Sequence, residues 1–183
     1  TQYNSPYYTM SVFSSWGVPG KLEMKPEITA PGGNIYSVWG SNAYNGGGTD
    51  QYELMSGTSM AAPQVTGMAA VVAQYIRENG LDQKVSGLTV RALAQSLLMS
   101  TAVPMVDGNS GCYYPILQQG AGLANVGAAI MADSYILMGD DATASWGDGK
   151  VKVELGDDPD RKGEYTFSFS INNLDGNDKA YTL

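Results

Sequence analysis

The spacing of apolar residues changes several times along the chain, and each change predicts an element. Tyr7-Tyr8-Thr9-Met10-Ser11-Val12-Phe13 favours extended backbone through its aromatic and β-branched positions, and Ser14-Ser15-Trp16-Gly17 ends it. From Met60 onward, Met60, Ala61, Val65, Met68, Val72 and Ile76, with the alanines between them, cover most of a helical circumference. This predicts an interior helix from Ser59 or Met60 to Asn79. Pro63 falls in its first turn, where N–H groups lack intrahelical partners, and Gly80 stands where a left-handed C-terminal residue is expected. Val90, Leu93, Ala94, Leu97 and Leu98 form one stripe, predicting a second helix over 90–99 with Thr89 as its N-cap. A short helix is expected after Asn125, ending near Ala132.

Between these helices the pattern shortens. Lys25 to Gly33 is an apolar segment bounded by prolines and a glycine pair, which predicts a short buried strand entering a turn. Ile35 to Trp39 reads as another strand, and Tyr44 to Asp50 as a glycine-rich loop. After Ser145 the period becomes two. Lys150 to Leu155 and Tyr165 to Ile171 alternate polar with apolar, and the turn-prone Asp157 to Gly163 separates them, so they read as paired antiparallel strands. The shift in character divides the chain into 1–138 and 139–183, the second unit too short to complete a β-sandwich.

Composition narrows the function. At 183 residues, 43% hydrophobic and 15% charged, the chain is globular and long enough for one domain plus part of a second. No apolar run of membrane-spanning length occurs, and the start lacks both a signal peptide's charged and apolar regions and a Met, reading as a piece of a longer chain. A net charge of −8 argues against nucleic-acid binding. The lone Cys112 excludes an internal disulfide and lacks a base to activate it. There is no histidine, hence no imidazole base and no histidine metal ligand.

One segment carries chemistry: Ser56-Gly57-Thr58-Ser59-Met60-Ala61-Ala62-Pro63. A serine on a glycine-containing turn that opens a helix is held at a rigid edge. Backbone N–H groups and the positive end of the helix dipole then lie where an oxyanion forms. The bland reading is an N-cap serine before an alanine-rich helix. Elsewhere the bland readings prevail. Gly46-Gly47-Gly48 lacks the Lys-Ser/Thr of a phosphate loop, Asp157, Asp158 and Asp160 lack calcium-loop spacing, and Tyr36 and Trp39 are expected to pack in the core.

The string Gly57-Thr58-Ser59-Met60-Ala61-Ala62-Pro63 closely resembles the nucleophile motif of the subtilisin-like (subtilase) serine proteases. Phe13-Ser14-Ser15-Trp16-Gly17, Lys25 to Gly33, Thr101-Ala102 and Gly120 to Val126 are similar to further family segments, in family order, over residues 11–132. The wording is nearest to the large cell-envelope proteinases of Gram-positive bacteria, the lactocepin and C5a-peptidase-like group. The resemblance implies an α/β fold: the C-terminal portion of a subtilisin-like catalytic domain, with short parallel strands around a buried nucleophile helix. A partial all-β, fibronectin-III-like segment would follow. It implies an endopeptidase acting through an acyl-enzyme on Ser59, whose backbone N–H also serves the oxyanion hole, with Ser56, Gly57, Thr58 and Met60 as candidate substrate contacts. It implies a polypeptide substrate and an extracellular or cell-wall location; the residues themselves give no cofactor or metal site. The family's triad runs Asp, His, Ser along the chain. Here only the serine end matches, so this chain alone is expected to be inactive and to depend on an N-terminal half of the domain. Without that half, its exposed surface favours self-association. An inactive homologue serving as a surface-binding or adhesion module is the alternative.

Overall fold

The computed structural model describes residues 9–18, 24–40, 46–47, 51–85, 87–138, 151–153 and 160–182. Tyr7 and Tyr8, most of the expected loop 44–50, and Asp157 and Asp158 lie outside them. Strands β1 (Ile35–Val38) and β2 (Tyr52–Met55) form an antiparallel hairpin with Ile35 opposite Met55 and Val38 opposite Tyr52. Helix α1 (Thr58–Glu78) follows, then the single turn α2 (Leu81–Lys84), α3 (Val90–Ser100), the single turn α4 (Ile116–Gln119) and α5 (Val126–Met131). Strands β3 (Ser134–Met138) and β4 (Phe169–Asn173) make a second antiparallel pair, with Ile136 opposite Ile171.

The core lies where α1, α3, α5 and β3 meet. Val72 and Ile76, one turn apart on α1, pack with Leu93, Leu97, Ala129 and Leu137. Helix α3 is buried on nearly every side because it is pressed between α1 and β3. Its N-cap is the expected one, the Thr89 Oγ1 accepting from the Ala92 N–H at 3.1 Å, and Asn125 caps α5 in the same way at 3.0 Å. Leu97 is fully buried, so Leu97→Ala is expected to cost about 2–5 kcal/mol, read from the urea midpoint.

Four expectations are corrected. The first concerns α1, which has the predicted bounds but is not interior. Among its residues only Val72 and Ile76 are buried, and Val71 is 49% exposed. The small residues of its first half leave little side chain to bury, and among the described residues no element covers its outer face.

The second concerns Val12 and Phe13, which form an exposed turn instead of extended strand.

The third concerns the parallel strands, which among the described residues reduce to one isolated bridge, Thr29 with Leu123; the two sheets described are antiparallel. That bridge belongs to a strip of three segments. The Thr29 N–H donates to the Gly122 carbonyl and the Thr29 carbonyl accepts from the Ala124 N–H, while Val103 and Leu123 exchange bonds on the other side. Gly120 and Gly122 allow this approach, since a Cβ at either would lie 2.4 Å from a neighbouring backbone atom.

The fourth concerns the partner of the alternating run 165–171. Its strand, β4, pairs with β3. Residues 151–153 contain no strand; 150, 154 and 155 lie outside the described residues. Lys152 reaches the Glu27 carboxylate at 3.2 Å, anchoring that segment elsewhere. Partial burial raises the Glu27 carboxyl, but the bonds and charges of Lys25 and Lys152 outweigh it and hold the group below the usual glutamate value. The aromatics Tyr165, Phe167 and Phe169 stay exposed.

The β3–β4 pair is closed by the Leu174 N–H, which donates to the Asp133 carbonyl at 2.7 Å, and by Lys179, which binds the carboxylates of Asp133 and Asp175. The hydrogen bonds that Lys179 donates lower both carboxyls, and the one accepted by Asp133 raises Lys179. The carboxylate contribution is therefore complete above about pH 4 and is lost as pH falls through the lowered values. The lysine contribution is complete below about pH 10.4 and is lost as pH rises through the raised one. Amide protection at Leu174 is expected to be flat between these limits and to fall outside them, modestly because the groups are exposed.

Candidate functional site

Ser59 sits in the first turn of α1, exposed at the surface. Gly57 precedes the helix and gives no side-chain cap; its carbonyl accepts from the N–H groups of Met60 (3.0 Å) and Ala61 (3.3 Å). First-turn N–H groups have no intrahelical acceptor, and no described backbone carbonyl takes the Ser59 N–H. This leaves a donor at the positive end of a 21-residue helix, the arrangement that stabilises an anion. No hydrogen bond joins the Ser59 hydroxyl to another described residue.

The side chain opens on a hollow of about 330 Å³. One wall is the α1 surface at Met60, Pro63 and Gln64; the other is the face of the hairpin carrying the paired residues Ile35 with Met55 and Ser37 with Glu53. Trp39 lines this hollow too and is only half-buried, so it is not core. Tyr36 is not core either. It lies on the opposite hairpin face, 68% exposed, stacked on Tyr52 with ring centroids 5.5 Å apart.

Candidate contacts named from the sequence divide between two sides of the turn. Met60 faces the Ser59 hollow, while Thr58 lines a second one of about 490 Å³ together with Gly32, Gly33 and Asn34. Ser56 Oγ is already engaged, accepting from the Asn34 N–H at 2.8 Å. Gly57 donates its N–H to the Gly32 carbonyl at 2.8 Å. Sequence reasoning passed over Gly32, Asn34 and Gln64. Gly32 and Asn34 had a signal, the turn residues after Pro31; Gln64 had none.

Glu53 is the one titratable residue lining the Ser59 hollow among the described residues. With no histidine in the chain, the hydroxyl stays neutral and weakly nucleophilic. The site as it stands combines an exposed hydroxyl with a backbone N–H at the positive end of a helix, and the chain supplies no imidazole to it. Among the described residues no group of three or more His, Cys, Asp or Glu is placed to hold a metal, and no helix is long and apolar enough to cross a membrane.

Residues 2–147 match the subtilase family, Peptidase_S8. Over 129 residues the chain is 36% identical to the PII-type proteinase of Lactococcus lactis subsp. cremoris, and over an equal length 38% identical to the PII-type proteinase of Lacticaseibacillus paracasei. Each match covers 67% of this chain and 6% of the relative. Over 127 residues it is 34% identical to the C5a peptidase of Streptococcus pyogenes, covering 69% of this chain and 10% of that protein. The chain thus spans a tenth or less of the length of these curated relatives.

Proposed function

The chain belongs to the subtilase family, and on that premise we propose that Ser59 is the nucleophile of a serine endopeptidase that cleaves polypeptides. The observation that carries this is the placement of the motif serine at the mouth of α1, exposed on a hollow, beside a backbone N–H with no described acceptor. In the reaction the Ser59 hydroxyl attacks the scissile carbonyl, and an imidazole takes its proton. The Ser59 N–H and the helix dipole hold the oxyanion until the amine leaves and water releases the acyl group. Imidazole and orienting aspartate come from an N-terminal half of the catalytic domain in the protein that carries this chain. Gly57, Thr58, Met60 and the Ser56 backbone border the substrate at the acyl carbon.

Residues 1–138 then form the C-terminal part of the catalytic domain, and 139–183 begin a fibronectin-III-like segment. The location is extracellular or at the cell wall, and the outer face of α1 meets the N-terminal half.

A fluorophosphonate probe tests this reading. The intact protein is expected to be labelled, and the label to vanish in Ser59→Ala. The isolated 183-residue chain is expected to show no peptide hydrolysis above background. Absence of labelling in the intact protein would mark an inactive homologue acting in binding or adhesion. Hydrolysis by the isolated chain that Ser59→Ala abolishes would refute the missing base.

A further inference from the structure

A single four-residue segment, Pro31 to Asn34, holds the turn that presents Ser59. The Gly57 N–H donates to the Gly32 carbonyl at 2.8 Å, the Asn34 N–H donates to Ser56 Oγ at 2.8 Å, and Gln64 Nε2 donates to the Pro31 carbonyl at 2.9 Å. The ties flank Ser59 on both sides: Ser56 and Gly57 precede it, and Gln64 stands about one and a half helical turns after it. Two backbone features make the fit possible. A Cβ on Gly32 would lie 2.8 Å from the Gly57 carbonyl oxygen and 3.2 Å from Ala61 Cβ, so only glycine comes this close. Asn34 adopts φ 53°, a left-handed conformation that asparagine tolerates better than most residues.

We infer that Ser56 and Gln64 are positioning residues for the nucleophile, fixing the Ser59 turn against Pro31–Asn34. The inference rests on the reading of Ser59 as nucleophile. Its physical ground is that no described residue holds the Ser59 hydroxyl, so the place of Oγ is set by the backbone of its turn. Attack and oxyanion capture both depend on that place; a displacement of about 1 Å costs on the order of 10²-fold. The Ser56 hydroxyl accepts from the Asn34 N–H at 2.8 Å and donates to Asn34 Oδ1 at 3.5 Å, which favours this role over substrate contact. Both bonds are exposed, and water replaces a lost partner there, so stability depends on them little.

The test uses the intact protein carrying Ser56→Ala, Ser56→Thr, Gln64→Met or Ser59→Ala, with steady-state kinetics, phosphonate labelling rates and melting temperatures. Ser56→Ala and Gln64→Met are expected to lower kcat and the labelling rate by about tenfold, with KM changed less than about twofold. Melting temperature should hold, and Ser56→Thr should restore the rate. A rise in KM at constant kcat in Ser56→Ala would overturn the proposal in favour of substrate contact. Wild-type labelling rates in both Ser56→Ala and Gln64→Met would also overturn it, while leaving the nucleophile in place if Ser59→Ala is unlabelled. Labelling that survives Ser59→Ala would remove both.

Discussion

With Ser59 as the proposed nucleophile, Ser59→Ala in the intact protein is expected to lower kcat by about 10⁶-fold, the cost of removing the triad serine in subtilisin, with KM within about threefold. The split follows from the geometry. The hydroxyl is exposed and bonded to no described residue, so its removal unmakes no contact in the ground state. Alanine is also the best helix former, and the first turn of α1 should keep its shape. Ser59's N–H remains, so a residual rate of about 10³-fold over water is expected from the oxyanion donors and substrate binding. Peptide hydrolysis followed beside the melting temperature checks this. A loss of less than about tenfold at unchanged stability would remove Ser59 from the mechanism.

Gly122→Ala is expected to destabilise the fold by about 3 kcal/mol or more, combining a strained backbone with an overpacked contact. Gly122 has φ +120°, and a Cβ there would meet the Val103 carbonyl oxygen at 2.4 Å and the Pro104 nitrogen at 2.7 Å. Both are backbone atoms, which cannot yield as a side-chain tip would. Thr29 is bonded to Gly122 and leads within two residues to Pro31–Asn34, so displacement there also reaches the Ser59 turn. The contrasting variant is Gly67→Ala. Nothing lies within 4 Å of a Cβ at that exposed α1 position, and a gain of about 1 kcal/mol is expected from helix propensity. Urea midpoints at constant slope separate the two; equal midpoints would contradict the steric account.

What the chain's pattern revealed follows from how local each signal was. Helices α1, α3 and α5 were legible because their stripes and their caps, Thr89 and Asn125, lie within a few residues of what they control. The family and the motif around Ser59 were legible in an eight-residue string. Strand β2 was not, because beside β1, which has the β-branched Ile35 and Val38, only Tyr52 of its four residues favours extended backbone. Nor were the single turns α2 and α4, whose bonds form only once neighbouring segments are in place. The pairing of β4 with β3 joins residues about 35 apart in sequence, and what selects it is burial of Tyr135 and Leu137 against α3, a tertiary effect that overrides local alternation. Gln119 was invisible for the same reason. Its buried amide bonds the Met105 N–H at 2.7 Å and the Tyr114 carbonyl at 2.6 Å, contacts set by loop closure.

Helix α3 meets β3 through two serines as well as through its apolar stripe. Fully buried Ser96 donates to the Ile136 carbonyl at 2.9 Å, and Ser100 Oγ accepts from the Ile136 N–H at 3.2 Å. Both backbone groups of the middle residue on that strand edge are thereby used up. An incoming strand therefore finds no backbone partner at Ile136, and the edge is interrupted at its middle. Edge-to-edge assembly through β3 is thereby hindered at its centre by two hydroxyls.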